Sequence, residues 1–183
     1  RQALRFGFRA GYTMRNVAPD GYLFADQIIR DNAPTSIEAN MVPSTSYLDL
    51  AAGGLYYSEQ FWAGASFNHI NKPNQTLMVD GDAELMMRTT VHAGYRMPLD
   101  GHKLIRSQTK MTLAMHYKAQ GKWDQLDMGG YIEHERISGG IWYRGLPIGK
   151  AYKLGYGNSE AVILMAGFET EHQLRITYSY DIT

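Results

Sequence analysis

Residues 4–15 read LRFGFRAGYTMR, and the alternation in this stretch decides the fold. Every second residue is apolar, from Leu4 through Phe6 to Met14, whereas arginine, glycine or threonine occupies the positions between. A period of two residues predicts a β-strand with two unlike faces. One face is apolar and the other carries three guanidinium groups, so the two faces must meet different surroundings.

The same alternation recurs along the chain. It is clear in residues 87–97, 110–118 and 174–182, and weaker in 47–57, 61–70, 125–135, 137–144 and 160–169. Together with the first stretch these segments predict about nine strands. The best helical candidate is short, YLFADQIIRD at 22–31, and it lies inside a loop. The pattern predicts an all-β, antiparallel, up-and-down sheet in a single domain over residues 1–183.

Composition excludes several classes of protein. The 183 residues carry no formal net charge, which gives no indication of a nucleic-acid partner. The absence of cysteine excludes a disulfide framework and cysteine-based zinc sites. No stretch approaches the roughly 18 apolar residues of a membrane helix. This criterion does not apply to a membrane barrel, because apolar and polar residues alternate along its strands. The opening RQALRF lacks the features of a signal peptide, so an exported protein would be expected to be a processed or partial product.

The predicted connections differ in length. Short turns are expected at 58–60, 98–102, 135–136 and 171–173. Long connections are expected at 16–46, 71–84 and 145–159, with a shorter one at 119–124. In an up-and-down meander this alternation places all short turns at one end and all long loops at the other.

Two architectures fit alternating strands. A soluble sandwich or lipocalin-like barrel packs its apolar face inward, whereas a membrane barrel turns the apolar face to lipid and the polar face to its lumen. Predicted strands of about 10–13 residues match membrane strands of roughly 9–11 better than soluble strands of about 5–6. The unequal connections and the aromatic residues at strand ends also favour the membrane barrel.

A membrane barrel would place one face of each strand against lipid and the other against the lumen. The residues predicted to face lipid are Leu4, Phe6, Phe8, Met87, Val91, Met111, Leu113, Met115, Leu174, Ile176 and Tyr178. The charged residues predicted to face the lumen are Arg5, Arg9, Arg15, Arg88, Arg96, Lys110, Lys118, Asp127, Glu133, Arg144, Arg175 and Asp181. These arginines need carboxylates or water, because an unpaired charge in a dry lumen is prohibitive. They could select anions in an open pore, or form a structural ladder of ion pairs that fills the lumen.

The sequence contains no convincing catalytic or cofactor site. His92 and His116 could share a metal on adjacent strands, but a hydrated lumen histidine is the simpler interpretation. In VDGDAE, residues 79–84, the carboxylates of Asp80, Asp82 and Glu84 alternate without matching an EF-hand, which favours a solvated loop over a calcium site. No nucleophile elbow or phosphate loop is present. We therefore expect a protein that is not an enzyme and holds no cofactor or metal.

Four stretches resemble the PorP/SprF family. They are GGLYYSEQFWAGASFNHINKPN at 53–74, HAGYRMPLDG at 92–101, ISGGIWYRG at 137–145 and LMAGFETEHQLRITYSYDIT at 164–183. The loop that contains LFADQIIRD, residues 23–31, is also similar, so the resemblance covers nearly the whole chain. Family members are longer, begin with a signal peptide and continue past the Tyr-Ser-Tyr-Asp strand. The resemblance therefore implies the later part of a larger barrel.

The resemblance also implies a function. Family members are outer-membrane β-barrels of Bacteroidota, which are Gram-negative bacteria. They belong to the type IX secretion system and, in many species, serve gliding motility. The expected role is to assist secretion or cell-surface attachment of cargo such as gliding adhesins. The expected partners are cargo, other secretion components and membrane lipid, with no nucleic acid. A passive porin-like channel and a soluble β-binding protein remain the alternatives.

Overall fold

The computed structural model describes residues 2–18, 23–31, 36, 41–99, 109–145, 159–171 and 174–183. Nine strands and one short helix form there, because alternating apolar and polar residues with many aromatic and β-branched side chains favour extended backbone. The elements are β1 Ala3–Asn16, α1 Ala25–Ile29, β2 Ser44–Tyr57, β3 Phe61–Asn68, β4 Arg88–Pro98, β5 Thr109–Gln120, β6 Trp123–His134, β7 Ile137–Gly145, β8 Ser159–Glu169 and β9 Arg175–Ile182.

The strands form one sheet in chain order, β1 to β9. Neighbours run antiparallel throughout, which confirms the predicted all-β up-and-down topology. Most strands are long: β1 and β2 have 14 residues each, and β5 and β6 have 12. Lengths of this order match those of membrane-crossing strands. Within the described ranges, no helix has the length and apolar content needed to span a membrane.

The register of β5 to β9 sorts side chains onto two faces. His116 pairs with Asp127, and Asp127 pairs with Arg144, so these three side chains share one face. Leu113 pairs with Gly130 and Gly130 with Ile141, which places these residues on the opposite face. We call the first the charged face and the second the apolar face of these strands. A shift of register by one residue would exchange the two sets, so the pairing itself determines the division.

The predicted alternation of short and long connections is wrong between β5 and β6. Strands β5 and β6 are joined by the two residues Gly121 and Lys122, where a longer connection was predicted at 119–124. Gly121 adopts a φ of 60°, which lets the chain reverse within two residues. The predicted turn at 98–102 falls largely outside the described residues, because 100–108 are among those left out.

The chain divides into two compact units. The first contains Arg1–Gly7, Gly53–Ser66 and Thr89–Thr183, and the second contains Phe8–Ala52 and Phe67–Arg88. In the first unit, β5 to β9 supply the two faces described above. In the second unit, the connection at 69–87 is held in part by isolated bridges, Met41 with Met78 and Asn74 with Glu84.

Candidate functional site

The charged face of β5 to β9 carries an ion-pair network. Arg144 on β7 lies 3.3 Å from an Asp127 carboxylate oxygen and 3.5 Å from one of Asp181. Arg175 on β9 lies 2.9 Å from both a Glu133 oxygen and a Glu169 oxygen. Each arginine therefore joins two carboxylates. All of these residues except Glu169 were placed among the lumen-facing charges by sequence.

The contact between Arg175 and Glu133 crosses two intervening strands. The register continues from Glu133 on β6 to Ser138 on β7 and then to Gly167 on β8. These two small residues leave room above the sheet for the long side chains to meet. The contact thus joins β9 to β6. The spacing of these residues in the sequence could not predict it.

Several cations of the first unit have no carboxylate partner among the described residues. Lys110 pairs in register with Glu133, whose carboxylate is bound by Arg175 instead. The guanidinium of Arg5 lies 5.1 Å from the ring centroid of Tyr57, in a cation–π contact. Arg96 is exposed, and Lys118 pairs in register with Gln125. The network on β6 to β9 thus holds two arginines among four carboxylates. The cations on β1, β4 and β5 are available to other anions.

The second unit holds the other predicted lumen charges. The guanidinium of Arg9 lies 3.3 Å from an Asp49 oxygen and 3.4 Å from the Asn68 amide oxygen. His69 Nδ1 lies 2.9 Å from the other Asp49 oxygen. Arg15 donates a hydrogen bond to the backbone oxygen of Gln75 at 2.9 Å. Arg88 is exposed and has no ion-pair partner in the described part of the chain. Asp49 and His69 were not predicted, because nothing in their spacing connects them.

Three rings, on β3, β4 and β7, lie over glycines of neighbouring strands. A Cβ added at Gly94 would overlap the ring of Trp62, and one added at Gly129 would lie 2.8 Å from the ring of Trp142. The ring of His92 occupies the same kind of space over Gly64. Glycine and aromatic residues were both visible in the sequence, but their pairing depends on strand register.

His92 and His116 do come together, as the sequence suggested they could. Their ring centroids are 6.4 Å apart, with the rings inclined at 68°. Among the residues that the structure describes, no three His, Cys, Asp or Glu side chains are grouped as metal ligands would be. The carboxylates of Asp80, Asp82 and Glu84 are exposed on the connection at 69–87.

Large apolar side chains are exposed on the apolar face of β5 to β9 and on other strands. Of the residues predicted to face lipid, Phe8 is 86 % exposed and Phe6 72 %, and all the others are exposed too except Met111, which is half-buried. Within the described ranges, Ala161 is the single buried apolar residue. In water such exposure would forfeit the main driving force of folding. An apolar solvent around this face removes that penalty.

A groove of about 730 Å³ crosses the apolar face of the first unit. Its lining includes Leu113, Met115, Met128, Ile141 and Val162, with Gly130 among them. Its lining contains no His, Cys, Asp, Glu, Lys or Ser side chain. The groove forms because Gly130 has no side chain to fill the space between its large apolar neighbours.

Long antiparallel strands, an exposed apolar face and an ion-paired opposite face are together typical of β-structured membrane proteins. The family comparison agrees with this class. The family described as type IX secretion system membrane protein PorP/SprF matches residues 1–183, the whole chain, and the protein belongs to that family. No curated protein and no solved structure matches it.

Proposed function

We propose that this protein is an outer-membrane β-barrel of a Gram-negative bacterium of the Bacteroidota, and that it assists type IX secretion or surface attachment of cargo such as gliding adhesins. The family defines a membrane component of this secretion system. The single observation that carries the barrel assignment is the exposed apolar face of β5 to β9 opposite an ion-paired face. In this proposal, residues 1–183 belong to one barrel domain. The residues predicted to face lipid meet acyl chains, and the predicted lumen charges line the interior.

The proposed mechanism is protein recognition without chemistry. Cargo and other secretion components would dock on the connections between strands, since these leave the membrane while the strands cross it. We assign this role first to the long connections expected at 16–46 and 145–159. Residues 146–158 lie outside the described residues. The first connection and the one at 69–87 are the described candidates for docking.

The direct test is a strain that lacks the gene, with an inventory of type IX cargo at its surface and in its culture fluid. Loss or periplasmic retention of one or a few cargo proteins would identify a cargo-specific partner. Wholesale loss of secretion would identify a general part of the machine. Normal arrival of every cargo would contradict the proposed secretion role.

A passive channel is the second candidate, favoured by the cations Arg5, Arg96 and Lys110, which have no ion-pair partners in the described ranges. Such a surplus would select anions in an open pore. Planar-bilayer recording separates the candidates: steady anion-selective conductance favours the channel, whereas silence favours a lumen filled by the ion-pair network. A soluble binding protein, the third alternative, would be extracted from cells without detergent.

A further inference from the structure

Exposed apolar side chains also occur outside the strands. In the connection between β1 and β2, Leu23 is 58 % exposed, Ile28 60 % and Ile29 83 %. In the connection between β3 and β4, Met78 is 40 % exposed and Val79 55 %. Lipid accounts for apolar exposure along membrane-crossing strands, but these five residues precede or follow such strands. Exposed apolar groups outside the bilayer are available to an apolar surface of a partner.

The connection at 69–87 is ordered by its own hydrogen bonds. The backbone N–H of Leu85 donates to the Pro73 oxygen at 2.9 Å. The side-chain oxygen of Asn74 accepts from the N–H of Thr76 at 3.0 Å and from that of Ala83 at 3.2 Å. Met78 and Val79 lie at the tip of this small hairpin. A partner that binds the tip therefore pays little conformational entropy to order it.

Backbone pairing joins the two connections within the second unit. The N–H of Val42 donates to the Leu77 oxygen at 2.7 Å, and Met41 forms an isolated bridge with Met78. Arg15, near the end of β1, holds the hairpin from the other side through the Gln75 oxygen. The hairpin tip is thereby fixed to residues 41 and 42, which lead into β2.

The charge on the hairpin tip indicates the kind of partner. The side chains of Asp80, Asp82 and Glu84 are exposed and have no ion-pair partner in the described part of the chain. Three free carboxylates beside exposed apolar groups are repelled by an anionic membrane surface. They complement lysine and arginine on a protein. The charge pattern thus favours a protein partner over a lipid surface.

We propose that residues 23–31 and 69–87, here called the loop surface, dock a partner protein whose facing surface combines large apolar side chains with lysine or arginine. The inference rests on the proposed secretion function and deepens it by giving the chemistry of the partner. The apolar residues supply the anchors, and the carboxylates steer the encounter and select a basic face.

The first experiment is photo-crosslinking in living cells with the full-length protein. A photoreactive residue replaces Ile29 in one variant and Val79 in another, and replaces exposed Lys122 in the β5–β6 turn as a matched control. The expected result is one secreted cargo or secretion component, identified by mass spectrometry, cross-linked at the first two positions and absent at the third. Its cross-linked peptide should contain lysine or arginine next to large apolar residues. Cross-linking to lipid alone, to no protein, or equally at position 122 overturns the proposal.

The second experiment measures the affinity of the identified partner for two variants of the full-length protein. The triple variant L23S/I28S/I29S removes apolar anchors, and D80K/D82K/E84K reverses the charge of the tip. Each should weaken binding by about tenfold or more. Binding to the unaltered protein should also weaken as salt is raised, because surface charges are then screened. The matched control E135K lies in the β6–β7 turn and should leave the affinity unchanged.

The two proposals fail separately. If gene deletion stops cargo delivery but both triple variants deliver cargo normally while folded, the loop surface is wrong and the secretion role stands. If gene deletion leaves every cargo in place, the secretion role itself is wrong. Retained affinity in both triple variants also overturns the loop surface.

Discussion

At the scale of single residues, the arginines of the charged face organise the strands around them. Arg175 contacts Glu133 on β6 and Glu169 on β8 from its place on β9. The contact of Arg136 with Glu171 joins two turn residues, and the Glu171 side chain is 74 % exposed, against 21 % for Glu133 and 38 % for Glu169. An arginine that contacts two carboxylates fixes the orientation of these side chains and adds stability. A single exposed ion pair contributes little to stability.

Replacing Arg175 with Ala should lower the stability of the folded protein more than replacing Arg136 with Ala. The first change leaves two carboxylates of one face without their cation, and the second removes one solvated pair. Guanidinium unfolding of the purified variants in detergent micelles, followed by tryptophan fluorescence, measures the difference. Equal midpoints for the two variants would show that the network contributes no more than a surface pair.

Gly129 and Gly139 provide a matched pair for testing the aromatic packing. A Cβ at Gly129 would meet the Trp142 ring and backbone, whereas one at Gly139 would find its nearest neighbour, the Met165 oxygen, at 3.8 Å. Gly129→Ala should therefore destabilise the protein by about 1–3 kcal/mol through overpacking. Gly139→Ala should be neutral or stabilise it by about 0.5 kcal/mol. The same unfolding measurement decides, and a tolerated Gly129→Ala would mean that Trp142 is free to move aside.

At the scale of elements, the turn between β5 and β6 determines the register of the two longest-paired strands of the charged face. Gly121 has a φ of 60°, a region that side chains with a Cβ occupy at a cost. The turn brings Gln120 opposite Trp123 and thereby sets every later pair, including His116 with Asp127. The sequence predicted a longer connection here, because polar residues in 119–124 resemble a loop.

Gly121→Ala should reduce stability by roughly 1–2 kcal/mol, since alanine is strained in the left-handed region. Gly7→Ala is the control, because a Cβ at that position meets no atom within 4 Å. Gly121→Asn should recover part of the loss, since asparagine tolerates this conformation. Unfolding midpoints that do not separate Gly121→Ala from Gly7→Ala would contradict the turn's role.

At the scale of the whole molecule, the surroundings of the apolar face distinguish a membrane protein from a soluble one. Ile141 lies in the middle of β7 on this face and is 56 % exposed. Ser179 lies on the opposite face, paired in register with Met165, and is also exposed. A charge at either position would be acceptable in water.

Ile141→Arg should therefore disrupt membrane assembly, whereas Ser179→Arg should not. An arginine on the lipid face near the bilayer midplane costs about 2–4 kcal/mol, and lumen positions tolerate charge. Fractionation of cells into membrane and soluble pools, followed by quantification of each variant, measures the outcome. Similar membrane yields for both variants would argue against lipid at the apolar face.

Local pattern was enough to predict much of this architecture. Alternation of side chains is a property of a few neighbouring residues, so about nine strands and their approximate bounds could be predicted before any contact was known. The short helix at 25–29 lies within the helical candidate at 22–31. The family could also be recognised from the order of four motifs, and the match over residues 1–183 confirms it. The division of each strand into a charged and an apolar set was visible for the same reason.

Only the tertiary structure determined which of these residues meet. The contact of Arg175 with Glu133, the ring of Trp142 over Gly129 and the pairing of His69 with Asp49 all join residues distant in sequence. The first of these contacts depends on register and on the small residues Ser138 and Gly167, which leave space above the sheet. The sequence by itself determined the strands and their faces, because periodicity acts locally. Only the fold shows the ion-pair network, the glycine–aromatic packing and the ordered hairpin at 69–87. Their contacts depend on distances between residues far apart in the sequence, and strand register determines such distances within the sheet.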